Sequence, residues 1–374
     1  MESEQIKKIV ESCHLNFLIG SGASRPFLGT LGAIEDLLTD LAKKESSNEK
    51  TLVDASIKKY YYDVAIRGNI EIASGTDGKL EATKKNYSDF FQALSTIVHK
   101  RAGNLVSKQV NVFTTNMDLF LENSLEDESL HYNDGFTGRL SPRFGTDNFH
   151  NSIRKTSTHY EIESEVALFN IFKLHGSLNW KQNEDTIVYD SDLSILKAIN
   201  EVPQEPENYL EIEYQDADEK WQTHTITELY QQIADKGLEK TDDHDRFIVE
   251  YNNLLMINPT KEKFETTTRN LTFYELLRMY SNHLERENSV LIVFGFSFAD
   301  EHIREITKRV ADSNPTLLVV IFAFDLEAKE AISQHFPERL NIKIIADPDD
   351  VKKYSLDQIN ADVFTHLAND LSNQ

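Results

Sequence analysis

Short continuous apolar runs, each followed by a turn and then an amphipathic stretch, dominate the last third of this chain. Val290-Leu-Ile-Val-Phe-Gly295, Leu317 to Phe324 and Ile342 to Ile345 read as strands. Leu271, Phe273, Leu276, Leu277, Tyr280 and Leu284 recur at helical spacing, as do Ile303, Ile306 and Val310, and a further helix is expected over 326–335. Strands that are apolar on both faces and separated by helices make a parallel sheet covered on both sides. The chain opens in the same way. Leu15 to Ile19 reads as a strand, Gly20 to Arg25 as a turn, and Ala33, Ile34, Leu37, Leu38, Leu41 and Ala42 as a helix. Val110 to Thr115, Ala167 to Leu174 and Leu254 to Asn258 are three more expected strands, and a helix is expected from near Asp118. The fold class expected is α/β: a mainly parallel sheet with helices on both faces, plus helical insertions.

A length of 374 residues fits one large domain with insertions, or two closely packed ones. A helical insertion is expected at about 44–105, broken at Ser74-Gly-Thr-Asp-Gly78, and an acidic insertion at about 181–246. Residues 131–165 read as a long loop region, and a C-terminal tail follows about 346. With 39 Lys and Arg against 62 Asp and Glu, the net charge is −23, which argues against a protein that coats nucleic acid. The lone cysteine, Cys13, excludes an internal disulfide and a cysteine-built structural zinc site. Met-Glu-Ser-Glu-Gln at the start is unlike a signal peptide, and no run approaches the ~18–20 apolar residues of a membrane span. A cytoplasmic location is therefore expected, with no membrane partner.

The chemistry-bearing residues gather at expected strand ends, where open α/β sheets bind ligands. Gly20-Ser21-Gly22-Ala23-Ser24 can bring backbone N–H groups against phosphate oxygens; the alternative is a tight turn and nothing more. Arg25 stands where a dinucleotide fingerprint would carry its third glycine. Thr115, Asn116 and Asp118 can orient ribose hydroxyls or a water, unless Asn116 or Asp118 caps the next helix. His175, at a strand end beside Gly176, is placed for general-base work; the alternative is a structural histidine. Gly295-Phe-Ser297 lacks the second glycine of a nucleophile elbow, so Ser297 reads as a hydrogen-bonding ligand, and Asp300 as a cap for the helix beginning at Glu301. No metal motif is present: none of the 12 histidines falls in a His-Glu-x-x-His pattern.

Gly20-Ser-Gly-Ala-Ser24, Thr115-Asn-Met-Asp118, Lys173-Leu-His-Gly-Ser-Leu-Asn-Trp180 and Gly295-Phe-Ser-Phe-Ala-Asp300 occur in this order. Together they resemble the sirtuin family, and most closely its bacterial sirtuin-like branch from anti-phage defence systems. Ile257-Asn-Pro-Thr-Lys261 and Tyr274-Glu-Leu-Leu-Arg278 add to the resemblance, which spans roughly residues 15–325. It implies a Rossmann-like sheet that binds NAD as substrate, cleaved at the nicotinamide–ribose bond. Asn116 and His175 would be catalytic, with Asp118, Thr115 and Gly176 beside them. Gly20, Ser21, Gly22, Ala23 and Ser24 would cradle the pyrophosphate, with Arg25 countering its charge. Gly295 and Ser297 would line the adenosine side, and Asp325 would reach the adenosine ribose. Deacetylating sirtuins carry a four-cysteine zinc module and a Gly-Ile-Pro-x-Phe-Arg segment. This chain has a single cysteine, and only Arg25-Pro-Phe27 as an echo of the segment. The resemblance thus favours the hydrolytic branch without zinc: an NAD+ glycohydrolase that depletes NAD, assembles as a homo-oligomer and acts with a partner from a neighbouring gene, such as a HerA-type hexameric ATPase. Nucleic acid would be met only through that complex. The alternatives are a module that senses NAD or ADP-ribose, a nuclease subunit, or a protein deacetylase.

Overall fold

The computed structural model describes residues 3–30, 34–101, 106–159, 162–216, 218–257, 271–336 and 339–372. Seven strands form the main sheet: β1 (His14–Ile19), β2 (Gln109–Thr114), β3 (Tyr132–Asn133), β4 (Leu168–Lys173), β5 (Ser289–Phe294), β6 (Leu318–Phe322) and β7 (Ile342–Ile345). Their order is β7-β6-β5-β1-β2-β4-β3, and every pairing is parallel. This is the Rossmann-like α/β sheet expected. After β1 the chain builds outward through β2, and later returns to add β5, β6 and β7 on the other side. The order therefore reverses at β1, and the crevice of such a sheet lies outside the C-terminal ends of β1, β2 and β5.

Alternate side chains of each strand enter two cores. Phe17, Val112 and Ile171 face the helix Gly78–Lys100 and the C-terminal helix Thr365–Ser372; Leu18, Phe113, Phe172 and Val293 face the helices Leu271–Glu285 and Glu301–Ser313. The long helix starts at the polar break, where Asp77 Oδ1 accepts from Lys79 N (2.8 Å) and Leu80 N (3.2 Å). Phe364, beyond residue 346, packs its ring against Phe17 and Phe90. The apolar face of that C-terminal stretch is thus covered by this chain's own sheet layer.

A third core joins the two segments expected as insertions. The helices Ile34–Ala42 and Asn48–Tyr61 pack with Ser194–Glu201, Ile226–Lys236 and Asp242–Tyr251 around Val53, Ile57, Leu196, Leu229 and Phe247. Residues 102–105 of the first segment lie outside the described residues, as does Ala33 before the first helix.

Three expectations about elements are corrected. Leu254 to Asn258 is no sheet strand: Met256 makes one isolated antiparallel bridge to Gly176, and Asn258 lies outside the described residues. The run is apolar because Leu254, Met256 and Ile257 are buried between cores. Residues 131–165 are not all loop, since β3 adds an edge strand and short antiparallel pairs follow. The glycine turn opens into a single 3-10 turn, Ser21–Ser24, while the next helix begins at Ile34.

Candidate functional site

Three strand ends meet at the switch point, and glycines let them meet. A Cβ on Gly20 would sit 2.3 Å from Gly295 O, and one on Gly22 would sit 2.9 Å from Gly295 Cα. Gly295 has φ +64°, and a Cβ there would meet Ala23 N at 2.5 Å. The close approach these glycines allow is between the turns after β1 and β5, sealed by Gly22 N donating to Gly295 O (3.0 Å).

Against this crossing stands a buried polar network. Asn116 Nδ2 donates to Gly20 O (3.0 Å) and to Ser24 Oγ (3.4 Å), while Asn116 N donates to Thr114 Oγ1 (2.9 Å). Ser24 Oγ donates to Asp118 Oδ2 at 2.6 Å and meets the Tyr87 hydroxyl at 3.0 Å. That serine has one hydrogen, and the carboxylate takes it, so Tyr87 is the donor in the second contact. Burial and the nearby Asp118 carboxylate push the Tyr87 phenol well above its ordinary range, which keeps that proton in place. The backbone carbonyl of Gly20 can only accept, which sets the Asn116 amide. Its Oδ1 is left buried with no partner among the described residues. An unpaired buried acceptor costs free energy that a ligand hydroxyl or a water would recover.

Asp118 is held from below. Its Oδ1 accepts from Phe120 N (3.3 Å) at the start of the helix Phe120–Asp127, and its main-chain oxygen accepts from Lys173 Nζ. Lys173 also pairs with Glu122 at 3.1 Å, with side chains only 1% and 7% exposed. Burial raises the Glu122 carboxyl pKa, with Lys173 opposing the rise.

His175 follows β4, beside β2. Its loop is pinned by Ile257 N donating to His175 O (2.9 Å) and by Gly176, at φ +85°, where a Cβ would meet Leu255 O at 2.2 Å. Its ring lies 3.1 Å, Nε2 to Oδ2, from Asp300, the expected cap of the helix Glu301–Ser313. The structure thus brings Gly20, Gly22, Ala23, Ser24, Asn116, Asp118 and Gly295 into one contact set, with Thr115 and Ser21 part-buried within the same turns. His175 and Gly176 stand on the adjoining strand end. Arg25 and Ser297 are exposed, and Ser297 Oγ accepts from Ala299 N (3.4 Å). Asp325, after β6, caps the helix Leu326–His335 through Ala328 N (2.8 Å) and pairs with Lys353 at 3.4 Å. Tyr87, Thr114, Lys173 and Glu122 were not singled out from sequence. A lysine at the end of an apolar run was a readable sign for Lys173; Tyr87 reaches the site from an inserted helix and carries none. No group of three or more His, Cys, Asp or Glu side chains suited to a metal occurs among the described residues.

Residues 250–345 match the SIR2-like domain family. The match takes in β5, β6, β7 and the turn Gly295 to Asp300, about a quarter of the chain, and supports a sirtuin-like relationship. SIR2-like domains use NAD. Asn116, His175 and the turn Gly20 to Ser24 lie outside the matched residues but at the same end of the same sheet. None of the curated proteins searched matches the chain. The Ile257 to Lys261 run that adds to the sirtuin resemblance lies within the SIR2-like match, although 258–261 are outside the described residues.

Proposed function

We propose that this chain is an NAD+ glycohydrolase, converting NAD+ and water to nicotinamide, ADP-ribose and a proton. The observation that carries the proposal is the Asn116 amide. Gly20 O and Ser24 Oγ hold its nitrogen, so an oxygen that is buried and unpartnered among the described residues stands at the switch-point strand ends of a chain with a SIR2-like match. A ribose hydroxyl or the attacking water fits that acceptor. Departure of neutral nicotinamide leaves oxocarbenium character on the ribose and needs no general acid. Water adds to the anomeric carbon, and His175 takes its proton, a role worth typically ~10²–10⁴-fold. Gly20 to Ser24 and Gly295 supply the turns against which the dinucleotide would lie, Ser297 and Asp325 the adenosine side, and Arg25 a cation at the rim.

The biological setting follows the sirtuin resemblance: an NAD-depleting effector of anti-phage defence, working as a homo-oligomer with a partner such as a HerA-type ATPase. Asn116 is only 7% exposed, which suits a site restrained until assembly or a trigger opens it. Among the described residues no helix is long and apolar enough to cross a membrane. The test is incubation of purified protein with NAD+, alone and with its neighbouring-gene partner and DNA, following nicotinamide and ADP-ribose by chromatography. Release of both products supports hydrolysis. NAD+ that is bound but left intact by the activated assembly would replace it with the sensing reading.

A further inference from the structure

Two contacts of Asp300 bear on the site. Its Oδ1 accepts from His302 N (3.1 Å) and Ile303 N (3.3 Å), capping the helix Glu301–Ser313. Its Oδ2 lies 3.1 Å from His175 Nε2, a charge contact rather than an aligned hydrogen bond. The two residues follow β5 and β4, and the ends of β1 and β2 lie between them. The contact therefore spans the mouth of the crevice. A helix cap alone would be served as well by Ser, Thr or Asn, so capping does not explain why a carboxylate faces an imidazole here. Side-chain exposures of 14% and 6% mean that neither group swings freely in water.

We propose that Asp300 is a positioning residue that fixes the tautomer of His175; the inference rests on the hydrolysis reading above. A carboxylate only accepts hydrogen bonds. At 3.1 Å its charge repels a ring lone pair and attracts a ring N–H, so the proton of neutral His175 sits on Nε2, facing Asp300, and the lone pair sits on Nδ1. Nδ1 is then the base. As the water oxygen bonds to the anomeric carbon, one water O–H bond breaks and its proton passes to Nδ1. The carbon–nitrogen bond to nicotinamide breaks with its electron pair leaving on the ring nitrogen. The imidazolium formed is countered by the Asp300 carboxylate. The pinned main chain of the loop, through Ile257 N and Gly176, holds the ring's root while Asp300 holds its tip.

Asp300→Asn separates the two contacts. Asparagine has one acceptor oxygen and is as good a cap as aspartate. The helix takes that oxygen, so the amide NH2 faces Nε2. Nε2 must then accept, the proton moves to Nδ1, and the base is lost. The experiment uses the full chain, labelled with 15N at histidine, with the His175 signals assigned by their absence in His175→Gln. Spectra are taken at a pH where the imidazole is neutral. NAD+ binding, turnover and thermal melting are measured on the same samples. Expected are a proton on Nε2 in the parent and on Nδ1 in Asp300→Asn. The variant should melt close to the parent and bind NAD+ as the parent does, with turnover down ~10²-fold. Asp300→Ser, which caps but offers no carboxylate, should show mixed tautomers and intermediate turnover. A parent with its proton on Nδ1, or an Asn variant unchanged in both tautomer and turnover, overturns the proposal and leaves Asp300 as a cap. If the parent does not turn over NAD+ at all, the hydrolysis reading falls. The tautomer pattern alone then decides what Asp300 does.

Discussion

Asn116 and His175 end neighbouring strands, yet different partners hold them. Asn116 is tied to the turn after β1, whereas His175 is braced from the far side of the crevice by Asp300. Truncating either should leave the sheet intact, because neither side chain fills a core. His175→Ala is expected to melt near the parent, and Asn116→Ala somewhat lower because Gly20 O and Ser24 Oγ lose a buried donor; both should bind NAD+ and lose at least ~10²-fold in turnover. Near-normal turnover in a well-folded His175→Ala sample would make the histidine structural. The glycines behave differently. From sequence, Gly22 reads as giving space beside phosphate; in the structure a Cβ there would first meet Gly295 Cα, at 2.9 Å. Gly295→Ala adds a Cβ at φ +64° and 2.5 Å from Ala23 N. It should cost stability of ~1–3 kcal/mol or more before any ligand is added. Thermal melting without NAD+ checks this. A parent-like melt with binding alone lost would restore the phosphate explanation.

Between elements, the parallel sheet and the strand ends were legible because apolar runs of strand length are hard to hide, and because Gly20, Asn116, His175 and Gly295 each follow one. Pairing in space was not legible. Asn16, Asn111 and Asn170 each interrupt an apolar run, and only the register shows that they lie side by side. Asn170 Nδ2 donates to Asn111 Oδ1 (3.0 Å), and Asn111 Nδ2 to Asn16 Oδ1 (2.9 Å). A slip of one residue would set these amides against apolar neighbours, so the ladder specifies register. The Leu254 to Asn258 run was misread for the opposite reason. Burial makes a run apolar whether or not it joins a sheet. The Lys173–Glu122 pair, which adds a charge contact to the apolar packing of β4 near the helix Phe120–Asp127, was equally hidden. Lys173→Met would leave the Glu122 carboxylate buried without its cation, at a cost of about 3–5 kcal/mol. Adding Glu122→Gln should recover part of that loss. Chemical denaturation of the single and double variants measures it, and a single variant as stable as the parent would show the pair to be incidental.

At the scale of the whole molecule, acid acts in two opposed ways. With a net charge of −23, protonating surface carboxylates relieves self-repulsion and favours the compact state. Two half-buried histidines work against this. Burial, aided by Arg286, His150 and His14, lowers His283 from 6.5 to about 4. Burial, aided by Arg286 and Arg101, does the same for His14. His283 Nδ1 lies 3.0 Å from Asn111 Nδ2, which also donates to Asn16, so this nitrogen has to accept. A proton there would set donor against donor at the edge of the asparagine ladder. Because the folded pKa lies below the unfolded one, the unfolded chain takes up the proton first. The contribution is complete above pH 6.5 and is lost as the pH falls toward 4. For His283 the loss should be roughly 1–3 kcal/mol across that window. His283→Gln keeps an acceptor for Asn111 but cannot titrate. Denaturant midpoints of parent and variant should therefore converge as the pH drops from 6.5 to 4, with the parent falling more steeply. Parallel pH profiles would show that His283 protonates as readily in the folded chain as in the unfolded one, and would place the acid sensitivity of this fold elsewhere.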